Sequence, residues 1–339
     1  MPFPNGTAIG KYKIKGFIGA GHFGEVYRVR DRAIDADSAL KLLPIADPKH
    51  YVELVEAKIQ HKCRHQNCVT INSADVKSVG GTPYACIDME LMTGGSLESL
   101  LERQFLSVRH AVKLITDVPF GLEHAHCQGI VHKDIKPGNI LLVGDVAKLS
   151  DFGLSEEMNE YGKGSGLFAY VTHQPPEFFS SSEITIKSDI YSLGMTLYRL
   201  VNNINDWQVK LQNLSNVETH VTKGSLIAAV GWQPWVPEKI RKIILKACAS
   251  HPDRRYNSVR EYRQATDRIS WINDWSRITP TQWSVQGTRL AEISITTTAP
   301  FKFESKVNGR RQNAATRQFL SSSAALDYLH EYIATSTLS

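Results

Sequence analysis

His132-Lys133-Asp134-Ile135-Lys136-Pro137-Gly138-Asn139, with Asp151-Phe152-Gly153 after it, is the stretch on which the reading of this chain turns. Taken singly, its residues are ordinary. An aspartate such as Asp134 often caps a turn, and an asparagine such as Asn139 is a common loop amide. Those ordinary readings do not explain the order in which the residues come, nor the stretches that precede them.

Working back toward the N-terminus, Ala85-Cys86-Ile87-Asp88-Met89-Glu90-Leu91-Met92 reads as a strand. It runs into Gly94-Gly95-Ser96-Leu97, which turns the chain and caps a helix. Met89 and Met92 alone would be core filling. Further back, Ser38-Ala39-Leu40-Lys41 ends an apolar strand on a lysine, by default a snorkelling surface residue. Glu56 follows on a predicted helix, and His65-Gln66-Asn67-Cys68-Val69 comes after it. The spacing to that turn favours Glu56 over Glu53, one helical turn earlier, as the partner of Lys41. Earliest is Gly19-Ala20-Gly21-His22-Phe23-Gly24-Glu25-Val26. Glycines so spaced let a backbone approach phosphates, because no Cβ intervenes. Dinucleotide-binding turns use a similar string, but here Val26 and Tyr27 continue a strand, which favours a strand-turn-strand flap.

The ordered set resembles the eukaryotic-type (Hanks-type) serine/threonine protein kinase family, in its bacterial form, from about Tyr12 to Ile269. The resemblance implies an α+β, bilobal protein-kinase fold. A kinase domain at 12–269 would comprise a β-rich N-lobe at about 12–91 and a helical C-lobe at about 96–269, followed by a small α+β module at 275–339. It also implies an enzyme that uses ATP and Mg²⁺, or Mn²⁺ in its place. Such an enzyme would move the γ-phosphate to a serine or threonine of a protein, itself included. Asp134 would accept or orient the hydroxyl proton, and Lys136 would sit beside the γ-phosphate. Lys41, paired with Glu56, would reach the α- and β-phosphates. Asn139 and Asp151 would hold the metal, since a hard cation prefers oxygen ligands. The nucleotide would lie among Ile18, Gly19, Gly21, Gly24, Val26, Ala39, Lys41, Met89, Glu90, Met92, Asn139, Leu141 and Asp151. Met89 would guard the back pocket, and Glu90 and Met92 would offer backbone groups to adenine. Lys136, two residues after the catalytic aspartate, resembles the serine/threonine branch. Pro175-Pro176-Glu177, Ser188 to Gly194 and His251 to Tyr256 resemble the scaffold motifs, with Arg255 as partner of Glu177. Two alternatives stay open: a nucleotide-binding pseudokinase, and a small-molecule kinase of related fold.

The rest of the chain sets bounds. In 339 residues with 42% hydrophobic content, a full core can be buried. A net charge of +5 is too mild for the footprint of a nucleic-acid binder. Met1 to Gly10 lacks the pattern of a secretory signal, and no run approaches ~18 apolar residues, so neither export nor a membrane span is expected. Five scattered cysteines read as reduced thiols of a cytoplasmic protein. His61, Cys63, His65 and Cys68 have the density of a zinc site. No second ligand pair follows, so the end of a helix is the preferred reading.

Periodicity predicts strands within Tyr12–Leu43 and Pro83–Leu91. It predicts helices at Tyr51–Cys63 (apolar face Val52, Leu54, Val55, Ile59), Val108–Gln128, Ile190–Val201 and Lys239–Ala249. In the C-terminal module it predicts two strands in Thr288–Val307 broken at Pro300, and a helix at Ala324–Thr335 using Leu326, Leu329 and Ile333. This module could dock a substrate, bind a partner or complete the large lobe's core. Lys306 to Arg311 reads as a solvated loop.

Two departures from the family pattern matter. Lys133 stands where an arginine usually receives a loop phosphate, and lysine lacks the bidentate fork. In Gly166 to Gln174, Leu167 stands where a threonine would brace the catalytic aspartate, unless Thr172 takes that role. Ordering of the loop by phosphate is therefore expected to be weak. Alanine at Ser155, Ser165 and Thr172 should leave most of the transfer rate intact in a phosphorylation assay.

Overall fold

The computed structural model describes residues 3–20, 24–45, 54–165, 173–180, 183–285 and 290–339. The protein is α+β, with a strand-rich N-terminal region and helices dominating after it. It divides into two compact units, one of residues 1–97, 117–170 and 182–189, the other of residues 98–116, 171–181 and 190–339.

The first unit is built on strands β1 (Ala8–Ile9), β2 (Tyr12–Ala20), β3 (Glu25–Asp31), β4 (Ala36–Pro44), β5 (Ile71–Val79) and β6 (Thr82–Met89). They form one antiparallel sheet in the order β1-β2-β3-β4-β6-β5. Strand β4 lies inside the sheet, and its residues Ser38 to Leu43 are all buried. Alternation along the strands sends Ile14, Tyr27, Val29, Leu40 and Leu42 to one apolar cluster. Leu43, Ala85 and Ile87 go to another, where Ala57 and Leu54 pack on them.

Ala57 belongs to helix α1 (Val55–Lys62). The buried face of α1 is Glu56, Ala57, Ile59 and Gln60. Val55, expected on the apolar face, is 45% exposed; Val52 lies outside the described residues. Rotating the helix this way places a carboxylate on its inner face.

After the sheet, Gly95–Ser96 pairs with Ile140–Val143, which pairs with Val146–Leu149. The helix expected over Val108–Gln128 is two helices, Val108–Thr116 and Val118–Cys127. Pro119 cannot continue a helix interior, and the Asp117 carboxylate accepts from the Ala147 N–H at 3.0 Å.

The second unit joins the later helices to the C-terminal segment. Helix Glu238–Ala247 buries Ile240, Ile243, Ile244 and Ala247, an i, i+3, i+4, i+7 stripe. Helix Val259–Asp267 starts on a capping serine, with Ser258 Oγ accepting from the Glu261 N–H at 3.2 Å. The C-terminal segment carries more sheet than expected. Trp275–Thr279 and Gln282–Val285 precede the expected pair Ala291–Ile295 and Phe301–Val307. Arg310–Arg311 and Arg317–Phe319 complete six strands. Arg310 and Arg311 are exposed, and Arg311 pairs with Glu304 at 3.0 Å. Helix Ser322–Ser336 covers the sheet, burying Ala325, Leu329 and Ile333, so Ala325 rather than Leu326 leads its inner face.

Trp283 is the centre of this segment. It is fully buried. Its ring meets Phe105 edge-on at 5.1 Å and lies 5.4 Å from Trp235. Phe105 and Trp235 come from the helical part of the unit, and the Arg277 guanidinium lies over Phe105 at 4.7 Å. Of the three expected roles, completing the core is the one these contacts serve. Trp283→Ala should lower unfolding stability by about 3–5 kcal/mol in a urea titration. A loss within about 0.5 kcal/mol, the range of ordinary surface changes, would mean the segment is only loosely attached.

Candidate active site

Lys41 sits on the inner strand β4, opposite Val26 of β3 and Ile87 of β6. An ammonium there must be paired, because burying a bare charge is prohibitively costly. Glu56, on the inner face of α1, supplies both carboxylate oxygens, 2.6 and 2.8 Å from Nζ. Asp151 supplies a third at 3.2 Å. Burial opposes the charge on Lys41, but Asp151 and Glu56 more than offset it and hold the ammonium above its usual value. Burial likewise pushes at Asp151, and the Lys41 charge overrides it, holding that carboxyl below its usual range. Glu56 moves the other way: burial raises it, against the pull of Lys41. Two carboxylates sharing one cation separate in this sense.

The second group is a loop. Pro137–Asn139 makes a single 3-10 turn. Asn139 Nδ2 donates to the Asp134 carbonyl and to Asp134 Oδ2, both at 2.8 Å. Lys136 Nζ donates to the same Oδ2 at 2.7 Å. Ser150 donates through both N–H and Oγ to the Asn139 carbonyl, each at 2.9 Å, and the next residue is Asp151. The loop is thereby tied to the strand end that carries the first group.

Asp189 holds the loop from within. This fully buried carboxylate accepts from the backbone N–H of His132 (2.8 Å) and of Lys133 (2.9 Å), and lies 2.8 Å from His126 Nε2. Burial pushes its carboxyl up, but the His126 contact and neighbouring charge more than offset this and hold it below its usual value. His132 is pushed toward the neutral form by burial. Its Nε2 lies 3.0 Å from the Ser150 carbonyl, and its ring meets Phe152 at 4.8 Å. Lys133 and Asp151 adopt φ of +70° and +60°, a region non-glycine residues enter only when their surroundings enforce it.

The expected nucleotide positions are distributed over the sheet, the residues that follow β6, and the stretch from Asn139 to Asp151. Gly19 pairs with Val26 across the β2–β3 hairpin, and Ala39 pairs with Met89. Ile18 is exposed, Leu141 is half-buried, and Gly21 lies outside the described residues. Gly24 is required by packing, since a Cβ there would lie 2.4 Å from the Leu42 carbonyl oxygen. The Glu90 N–H is already donated to the Thr70 carbonyl at 3.0 Å. Of its two backbone groups the carbonyl is thus the one left to offer. The Glu90 side chain accepts from Lys148 Nζ at 2.7 Å and from the Thr70 N–H at 2.6 Å. Sequence reasoning passed over Lys148, Ser150, Asp117 and His126. Lys148 lies on the short strand Val146–Leu149 and Ser150 just beyond its end, before Asp151.

Other expectations bear on the site as well. Glu177 and Arg255 form a bidentate pair, with both N–O distances 2.7 Å. Ser155 is buried, and its Oγ donates to the His132 carbonyl at 3.1 Å, so it is no accessible phosphate acceptor. Leu167 and Thr172 lie outside the described residues. Cys63 and Cys68 are buried thiols, each pushed up to about 12 by burial, and His65 stacks on His124. Among the described residues no group of three or more His, Cys, Asp or Glu is gathered as a metal site.

A hard divalent cation fits the donors that are present. Asn139 spends its amide N–H on Asp134, which leaves its oxygen as the ligand atom, and Asp151 is a partly exposed carboxylate. Lys41 and Lys136 set two formal positive charges against Glu56, Asp134 and Asp151, so the cluster is left anionic.

A model of the protein kinase domain matches residues 12–266. The chain is 28% identical over 306 residues to serine/threonine-protein kinase PknE of Mycobacterium bovis, covering 87% of this chain and 52% of that protein. To serine/threonine-protein kinase PknH of the same organism it is 29% identical over 264 residues (75% and 43%). To serine/threonine-protein kinase PknB of Mycolicibacterium smegmatis it is 26% identical over 273 residues (76% and 43%). The chain thus spans about half the length of the curated relatives it matches. Among the described residues no helix is long and apolar enough to cross a membrane.

The depressed carboxyl of Asp189 stabilises the fold above the unfolded aspartate value near ~4, and that contribution is lost as pH falls through its lower folded value. Asp189→Asn should cost about 3–5 kcal/mol near neutrality. It should also flatten the acid limb of a stability–pH profile measured by urea melts. An unchanged acid limb would show that Asp189 is not the group that titrates with unfolding.

Proposed function

The chain belongs to the protein kinase family, and from that premise we propose that it transfers the γ-phosphate of ATP to serine or threonine hydroxyls of proteins, its own among them. The observation that carries this reading is the convergence of Lys41, Glu56 and Asp151 on one side of Ser150, and of Asp134, Lys136 and Asn139 on the other. Such a set supplies charge and alignment, which is what phosphoryl transfer needs. The names of the relatives support the serine/threonine assignment.

In this reading Asp134 Oδ2, oriented by Asn139 and Lys136, takes the proton of the acceptor hydroxyl as that oxygen bonds to the γ-phosphorus and ADP leaves. Lys136 stays beside the transferred group, and Lys41 neutralises the α- and β-phosphates while Glu56 fixes its ammonium. Asn139 and Asp151 would hold Mg²⁺, or Mn²⁺ in its place. Such an ion neutralises phosphate charge when bound. Ile18, Gly19, Gly21, Gly24, Val26, Ala39 and Leu141 enclose the nucleotide, and Met89, Glu90 and Met92 border the adenine. The kinase domain is taken as 12–269, with 275–339 as its C-terminal segment. The cytoplasm is the proposed compartment, because all five cysteines are free thiols.

Asp134→Asn should slow phosphate transfer to protein by about 10²–10⁴-fold while magnesium-dependent ATP binding, followed by calorimetry, persists. Asp151→Asn should abolish that metal-dependent binding. Label from γ-labelled ATP should appear as phosphoserine or phosphothreonine. Nucleotide binding without transfer would point to a scaffold, and label only on small molecules to the other open alternative.

A further inference from the structure

Lys133 immediately precedes Asp134, and its side chain is only 5% exposed. A buried ammonium needs an anion. Glu156 Oε2 provides one at 3.1 Å. Glu156 is brought there by the backbone: Glu156–Glu157 pairs antiparallel with Val131 and Ile130, and the Met158 N–H donates to the Gly129 carbonyl at 2.7 Å. On the other side lies Gly164, where a Cβ would be 3.1 Å from Val131 Cγ2 and 3.7 Å from Glu156 Oε2. The returning chain thus packs over the pair, and Gly164–Ser165 is itself paired with Glu183–Ile184. Strand alternation sends Glu157 the opposite way from Glu156. It contacts Lys62, on the helix that carries Glu56. Both of those groups are over half exposed, so their pair is a weak tether; the Lys133–Glu156 pair, its ammonium 5% and its carboxylate 39% exposed, is the better shielded of the two.

We propose that Glu156 is a positioning residue, which anchors the segment after Asp151 to the loop bearing Asp134 in the unmodified protein. Phosphoryl transfer then needs no prior phosphorylation of that segment. The inference rests on the kinase reading above. It assigns to a glutamate of the chain the role of the anion beside the general base. Removing it would take away the carboxylate that lies 3.1 Å from the Lys133 ammonium and loosen the backbone around Asp134.

The test compares wild type, Glu156→Gln and Glu156→Asp. Each is treated exhaustively with phosphatase, checked by mass spectrometry for absence of phosphate, and assayed with casein and magnesium-ATP. Dephosphorylated wild type should keep its rate within about twofold. Glu156→Gln should lose about 10–100-fold in kcat, the scale of a misplaced catalytic group, with its KM for ATP nearly unchanged. Glu156→Asp should recover most of that loss. Hydrogen exchange should be faster at residues 155–158 in the Gln variant alone, with thermal melts confirming that it is folded. Loss of wild-type activity on dephosphorylation, or a Gln variant with wild-type rate and exchange, overturns the proposal. If wild type transfers no phosphate at all, the kinase reading fails instead. Exchange then decides the tether alone, and unchanged protection at 155–158 would end it.

Discussion

A single ammonium buried in the middle of a β-sheet sets the terms for the first unit. Lys41 occupies a strand inside the sheet whose residues Ser38 to Leu43 are all buried, where an apolar side chain would pack without further help. Choosing lysine there obliges the fold to deliver carboxylates to the spot. Helix α1 must turn its Glu56 inward, which costs it the exposure of Val55. The strand Val146–Leu149 must end so that Asp151 arrives from the far side. Buried ion pairs are often replaced by hydrophobic residues with no loss of stability. The trio therefore argues for a use outside folding, and a triphosphate with a divalent cation is a ligand whose charge such a group can meet.

The second constraint is conformational. Lys133 and Asp151 both have positive φ, at a cost of order 1–2 kcal/mol each. Neither would hold that shape in an isolated peptide. Asp189 binds the N–H groups of His132 and Lys133, His132 binds the Ser150 carbonyl, and Ser150 binds Asn139. Each link satisfies a buried polar group, so the chain of bonds both avoids unpaired donors and fixes the angles. The result is that Asp134, Asn139 and Asp151 are placed by hydrogen bonds that buried side chains make to the backbone around them.

Much of this could be read in advance, for a physical reason. Lys41 and Glu56 are charged residues on an apolar strand and a helix, and Asp134, Asn139 and Asp151, ordinary taken singly, stand out by the order in which their stretches come. What could not be read is anything set by rotation or long-range packing. The inner face of α1 was misjudged because Val55 is apolar while Glu56 is inside. The break at Asp117 went unseen because its cause, the Ala147 N–H, lies 30 residues away. The strands Trp275–Thr279 and Gln282–Val285 are too short and too polar to announce themselves by alternation. Glu156 was invisible because only strand pairing with Val131 shows that it faces Lys133.

The C-terminal segment makes the same point about how far a boundary drawn from sequence can be trusted. A small α+β module is expected at 275–339, and residues 275–336 do have their own sheet and helix. Their largest buried ring, Trp283, is nevertheless in contact with Phe105 and Trp235. The chain end is also fastened to the start of the segment. The Ile272 N–H donates to the Thr337 carbonyl at 2.9 Å, and Trp275 Nε1 donates to Ser336 Oγ at 2.9 Å. An aromatic cluster of this kind is worth both its buried area and its edge-to-face geometry. Cutting the chain before Trp275 would bare Phe105 and Trp235 to water at once. The helical region and the terminal sheet therefore share one core, and a domain limit placed between them divides the sequence without dividing the packing.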